Sequence, residues 1–195
     1  TFSSRGLGDV YKRQTYSSYV MEHILFKIQY PAEFHAQTAV EAAIKLHESV
    51  ASKLEIIDKI VIRTQEPAIR IISKVGKLAN AADRDHCIQY MVAVGLIFGD
   101  LIAEYYEDDF HQENQLIDKL RDKMIIEEDN QFSMDYLNTE KRSIANAIQV
   151  FFNDGTCSDD IQIEYPIGHK KRREEGIPLL EEKFWNNLNT CFDKD

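Results

Sequence analysis

The sequence predicts an α+β domain in which helices cover a small, mostly antiparallel sheet. Three observations carry this reading. Apolar residues recur every three to four positions in some stretches and every two in others, the periods of helix and strand. An Asp154-Gly155 pair separates two strand-like runs, as in a hairpin. A run from Cys87 to Ala103 is apolar almost all round, which suits a helix sunk in a core.

Taken in order, Thr38 and Glu41 have the spacing of a capping box, which predicts a helix start there. Ala39, Val40, Ala43, Ile44, His47, Val50, Ala51 and Leu54 keep one face apolar, so the helix is expected to reach about Lys53. Ile56 to Thr64 changes to period two, with Ile60 and Ile62 on one face and Ile57 and Val61 on the other, and reads as a buried strand. Pro67 suits a first helical turn, Ile69, Ile71 and Ile72 supply an apolar side, and Gly76 can end the helix in a left-handed cap. Gly95 and Gly99, four apart, permit close packing of the buried helix. Leu116, Ile117, Leu120 and Met124 predict another amphipathic helix, Ile144–Phe152 and Ile161–Tyr165 two strands, and Gly176 with Pro178 the start of a last helix carrying Leu179, Leu180, Phe184, Leu188 and Phe192.

A chain of 195 residues is long enough for one full domain. A hydrophobic fraction of 44% with 29% charged residues excludes fibrous and wholly disordered classes. The net charge of −10 works against a phosphate-backbone footprint, so nucleic acid is not an expected partner. The buried run is too short and too polar at its ends for a bilayer, so no membrane association is expected. Cys87, Cys157 and Cys191 are widely spaced without a C-x-x-C pair, which points to neither a disulfide framework nor a metal site and suits the reducing cytoplasm. Residues 1–14 resemble a translated library adapter and are expected to be disordered and without function, the native protein continuing upstream of Thr15. Without Arg5, Lys12, Arg13 and Asp9 the net charge becomes −12. The domain is then expected to span residues 15–195.

Four clusters bear chemistry. His35, in the loop before a helix, can help bind a carboxylate at the helix N-terminus, or it can cap and pack. His86, Gln89 and Tyr90 are spaced i, i+3 and i+4; they form either a polar spot on a pocket wall or a satisfied buried network. Glu104, Glu107, Asp108 and Asp109 lack the spacing of a calcium loop and read as a solvated face. His169, Lys170, Lys171, Arg172 and Arg173 concentrate positive charge, which suits a small polyanionic substrate or a solvated loop. Serine-hydrolase, P-loop, dinucleotide and zincin motifs are missing from the sequence.

Tyr30-Pro-Ala-Glu-Phe-His-Ala-Gln-Thr-Ala-Val-Glu-Ala-Ala43 closely resembles a segment of the MmgE/PrpD family. So, in the same order, do Ile62–Glu66, Ala82–Ala93, Tyr106–Asp108, Lys141-Arg142 with Ala145–Ala147, and Glu164–His169 with Gly176–Pro178. The likeness runs from about Tyr19 to Phe192 and points to the dehydratase branch.

The resemblance implies an enzyme that eliminates water from 2-methylcitrate to give 2-methyl-cis-aconitate in the methylcitrate cycle of propionate breakdown, with no cofactor. It implies a small tricarboxylate substrate, a homodimer, and a larger all-helical N-terminal domain that holds most acid–base residues and is missing here, so that this domain closes over the site and is inactive alone. On that footing Tyr90 and His86 are the expected catalytic contributors, and His35, Gln37, Gln89, Arg172 and Arg173 the expected substrate-binding ones. Alternatives are a non-catalytic ligand-binding or dimerisation module, or another family chemistry such as cis-aconitate decarboxylation.

Overall fold

The computed structural model describes residues 27–192, so the adapter-like run lies outside the described residues. Eight helices and four strands follow in order: α1 (Gln37–Val50), β1 (Ile57–Thr64), α2 (Glu66–Ile72), α3 (Ala81–Asp85), α4 (Ile88–Phe98), α5 (Asp108–Glu113), α6 (Leu116–Arg121), β2 (Met124–Glu128), α7 (Asn130–Leu137), β3 (Asn146–Phe152), β4 (Ile161–Ile163) and α8 (Arg173–Leu188). The sheet order is β2-β1-β3-β4; β1 and β2 run parallel, and β1 with β3 and β3 with β4 run antiparallel. The α+β class and the mostly antiparallel sheet are therefore present, with one parallel pair at the edge. Among the described residues no helix is long and apolar enough to cross a membrane.

The core is layered. Helix α1 packs on β3 and β4 and is backed by α4, which also meets α6. Ile60 and Ile62 of β1, Ile148 and Val150 of β3, Val40, Ala43 and Leu46 of α1, and Met91, Val92 and Leu96 of α4 are all buried in one cluster. Each large aliphatic side chain removed from water there contributes roughly 1.5–3 kcal/mol. The two glycines of α4 serve close packing, as their spacing predicts. A Cβ at Gly95 would lie 3.0 Å from that of Ala43, and Gly99 closes the helix at φ +69° with the His47 ring against it. A smaller cluster of Phe132, Ala145 and Ala147 joins α7 to β3.

Several local expectations are corrected. The capping box does not form, because a 3-10 turn at Phe34–Ala36 starts the helix earlier and places Thr38 and Glu41 inside it, both buried. Thr38 instead donates to the Ile144 carbonyl at 2.6 Å. Ile57 is buried like Ile60 and Ile62 because a bulge between Ile57 and Lys59 shifts the strand register. Gly76 has a left-handed φ of +82° but lies beyond the end of α2, which closes at Ser73. The buried helix stops at Phe98 rather than Ala103, since Gly99 ends it. Met124 begins β2 rather than extending α6. The last helix starts at Arg173 and runs through Pro178, because Gly176 is buried against the Gly168 backbone, 3.3 Å from where its Cβ would be. Between β3 and β4 the chain does turn at Gly155, φ +83°.

Candidate functional site

The loop ahead of α1 is built by its own side chains. Gln37 is buried, and its amide donates to the carbonyls of Tyr30 and Ala32 at 2.8 and 3.0 Å, which fixes the bend before His35. Asn146 of β3 donates to the His35 carbonyl at 2.8 Å and so ties the loop to the sheet. The Glu33 carboxylate accepts from the His35 backbone N–H at 2.8 Å and meets His35 Nδ1 at 2.9 Å. Burial pulls the Glu33 carboxyl upward, but its bonds with His35 outweigh this and hold it below the usual range. A carboxylate facing Nδ1 favours the proton there, which leaves Nε2 as the acceptor of the neutral ring. The Tyr136 hydroxyl, from the end of α7, lies 3.2 Å from Nε2 and is the matching donor.

Glu33, His35 and Tyr136 thus form a line of three hydrogen-bonded groups at the wall of a cavity of about 320 Å³. Phe34, His35, Tyr136, Leu137, Arg142 and Ile144 line it. Such a volume falls at the small end of ligand sites, and the mixture of apolar walls with a few convergent polar groups is their usual make-up.

The basic loop, residues 169–173, supplies none of the residues that line this cavity. His169 is buried and stacks on Tyr165 with ring centres 4.5 Å apart. Its Nδ1 accepts from the Lys171 N–H at 3.2 Å. Burial, and then the charges of Lys171 and Lys170, push the His169 imidazolium down to about 4, so the ring is neutral and dependable as a brace at physiological pH. Segments far apart in sequence, around His35 and from Tyr136 to Ile144, therefore meet at one cavity.

The other expected site residues are placed elsewhere. Arg172 is held by the buried Glu41 at 2.7 Å, the Tyr165 carbonyl at 2.7 Å and Glu175 at 2.7 Å, so its guanidinium fastens the basic loop to α1. Arg173 opens α8 and is half-buried. His86, Gln89 and Tyr90 do not share one helical face, because α3 ends at His86 and α4 begins at Ile88. His86 is half-exposed beside Asp85. Gln89 is buried, accepting from the Lys74 N–H at 3.2 Å and donating to Ser73 Oγ at 3.1 Å. Tyr90 is buried between Tyr106 and His111 and donates to the Tyr105 carbonyl at 2.7 Å. Burial pushes its phenol up to about 12, so the proton stays on. For Gln89 and Tyr90 this geometry is the satisfied buried network rather than a pocket wall. Among the acidic residues 104–109, Asp108 pairs with the buried Arg84 while Glu104, Glu107 and Asp109 face solvent.

Sequence reasoning missed Glu33, Tyr136 and Arg142 as site residues. Glu33 stood two residues from His35 inside the quoted motif. Arg142 stood in another of the quoted segments, Lys141-Arg142, whereas Tyr136 had no local signal and is joined to His35 only through the fold.

Residues 30–195 match the profile of the MmgE/PrpD C-terminal domain. The probable 2-methylcitrate dehydratase of Saccharomyces cerevisiae is 55% identical over 184 residues, which cover 93% of this chain and 36% of that protein. The 2-methylcitrate dehydratase of Escherichia coli is 55% identical over 183 residues, 92% of this chain and 38% of that protein. A 2-methylcitrate dehydratase-like protein of Aspergillus oryzae is 42% identical over 94% of this chain and 39% of its own length. The chain thus spans well under half the length of the curated relatives it matches.

Proposed function

The chain belongs to the MmgE/PrpD family, and from that premise we propose that it is the C-terminal part of a 2-methylcitrate dehydratase, holding the anionic end of the substrate while the rest of the protein supplies most of the acid–base chemistry. The likeness to proteins named 2-methylcitrate dehydratase supports the reaction. The single observation that carries the substrate class is the cavity that Arg142 lines together with His35 and Tyr136 among apolar walls. A tricarboxylate needs cations and N–H or O–H donors around its carboxylates, and these converge there.

Dehydration removes a proton from the carbon beside a carboxylate, breaks the neighbouring C–OH bond and releases the hydroxyl, protonated, as water. The double bond forms between those two carbons. Electrons flow more easily when the carboxylate next to the reacting carbon is held by cations and donors, because negative charge accumulates there. In this reading the cavity performs that holding. His35, oriented by Glu33, keeps Nε2 able to take a proton and Tyr136 keeps an O–H able to give one. His86, half-exposed and paired with Asp85, is the proposed second proton carrier. Tyr90, Gln89, Gln37 and Arg172 support the site by fixing α4, the loop before α1 and the basic loop. No cofactor is part of this proposal.

The all-helical N-terminal domain implied by the resemblance is the proposed covering partner, and a homodimer the proposed assembly. Ile177, Leu179, Phe184, Trp185 and Phe192 are all exposed along and after α8. Exposed apolar side chains gathered in this way mark a surface that meets another protein body. The proposed compartment is the cytoplasm, one relative from Yarrowia lipolytica being named as mitochondrial.

The test is turnover of 2-methylcitrate by the full-length protein, followed by ultraviolet absorbance of the conjugated product. Formation of that product supports the reading. A folded, full-length protein that leaves 2-methylcitrate untouched moves the assignment to another family chemistry or to a binding module.

A further inference from the structure

We propose that Arg142 is the carboxylate anchor of the His35 cavity and the residue that sets its preference for anionic ligands. The inference rests on reading that cavity as a tricarboxylate site. It starts from a backbone outlier: among the described residues Arg142 is the non-glycine residue with positive φ, at +49°. For an L-residue with a long side chain this conformation costs roughly 1–2 kcal/mol, and residues so placed gather at ligand clamps when the surroundings enforce them.

Here the surroundings do enforce it. The Arg142 N–H donates to the Asn138 carbonyl at 2.8 Å, and the next residue, Ser143, donates to the Asp135 carbonyl at 3.3 Å. Asn138 also accepts from the N–H groups of Glu140 and Lys141 through its side chain, at 2.9 and 3.2 Å, closing the turn from inside. Lys141 reaches back to Asp135 at 2.7 Å. Five hydrogen bonds around this turn therefore hold a conformation that glycine would adopt freely, yet the residue there is arginine.

What the strained turn delivers is Arg142 to the lining of the cavity that Tyr136 and His35 also line. Arg63, Arg70, Arg84, Arg121 and Arg172 each pair with a carboxylate of the protein. Among the described residues no carboxylate lies within ion-pair distance of Arg142. A planar fork of N–H donors with no ion-pair partner among the described residues matches the two oxygens of a ligand carboxylate. Phe34, Leu137 and Ile144, which line the same cavity, offer apolar contact to the carbon skeleton.

The experiment compares wild-type, Arg142→Gly and Arg142→Lys in the full-length protein, with citrate affinity by isothermal titration and KM for 2-methylcitrate as readouts. Glycine relieves the backbone, so the melting temperature of Arg142→Gly stays level or rises and a loss of binding is not a loss of fold. Citrate binding weakened at least tenfold and KM raised at least tenfold in Arg142→Gly, with Arg142→Lys between, is the expected result. Citrate affinity and KM within twofold of wild-type in Arg142→Gly overturn the proposal, as does wild-type that binds no citrate. The two readings separate cleanly. Citrate binding that depends on Arg142 in a protein without dehydratase activity keeps the anchor and discards the reaction. Dehydration with a KM indifferent to Arg142→Gly does the reverse.

Discussion

Replacing Gly99 by alanine tests the packing of α1 against α4, on which the whole core rests. Gly99 closes α4 at φ +69°, where an L-residue costs roughly 1–2 kcal/mol. The added Cβ would stand 2.7 Å from His47 Cδ2, 3.0 Å from Cγ and 3.1 Å from Nε2. That ring cannot swing aside freely, because its Nδ1 is bonded to the Leu96 carbonyl at 2.9 Å. Overfilling a tight contact of this kind costs about 1–3 kcal/mol, so the full effect is about 3 kcal/mol. In a chain of this size the melting temperature falls by roughly 6–12 °C. The assay is urea unfolding followed by circular dichroism, run on Gly99→Ala, His47→Ala and the double variant. Without the ring only the backbone cost remains, so Gly99→Ala should cost about 1–2 kcal/mol in the His47→Ala background. A loss below about 1 kcal/mol in the wild-type background, or equal losses in both, refutes the reasoning.

Two further outcomes follow from the basic loop. His169 is neutral in the fold down to about pH 4, whereas the unfolded chain takes up that proton near 6.5. Unfolding therefore gains a proton between those values, and stability falls by about 2–3 kcal/mol as pH drops from 6.5 to 4, with no contribution above 6.5. His169→Gln should flatten the profile in that window, and parallel profiles would remove His169 as the cause. Arg172→Met leaves the buried Glu41 carboxylate without its 2.7 Å partner and should cost about 3 kcal/mol in denaturant titration. Adding Glu41→Leu should restore most of it. A raised KM in the doubly substituted full-length enzyme, at restored stability, would return Arg172 to the substrate.

The legible parts of the fold were those with a local cause. The β-branched alternation of Ile60 and Ile62 marked β1, and the all-round apolar run at Ile88–Leu96 marked α4. Strand β2 was hidden because Met124 sits four residues after Leu120 and continues the helical spacing, while the strand is a half-exposed edge whose place is set by pairing with β1. Helix α7 buries only Phe132 and leaves Met134 and Leu137 exposed, so it has almost no apolar stripe. Asp129, which caps it through the N–H groups of Gln131 and Phe132, was the sole available signal. At the site the contrast is sharper. His35 was visible as a residue type, but the cavity it lines is completed by Tyr136 and Arg142, more than a hundred residues along the chain from it. The supposed convergence of His86, Gln89 and Tyr90 failed because a helix break at Cys87 removed the shared face that their spacing assumed.

The most direct test of the proposal is to measure 2-methylcitrate turnover side by side in the full-length protein and in this 195-residue chain, at equal folded concentration. Turnover in the long form, with the short chain inactive but still binding citrate, is the result expected of a domain that holds the substrate for chemistry supplied elsewhere. Turnover by the short chain alone would contradict the account, because the acid–base residues would then have to lie within it.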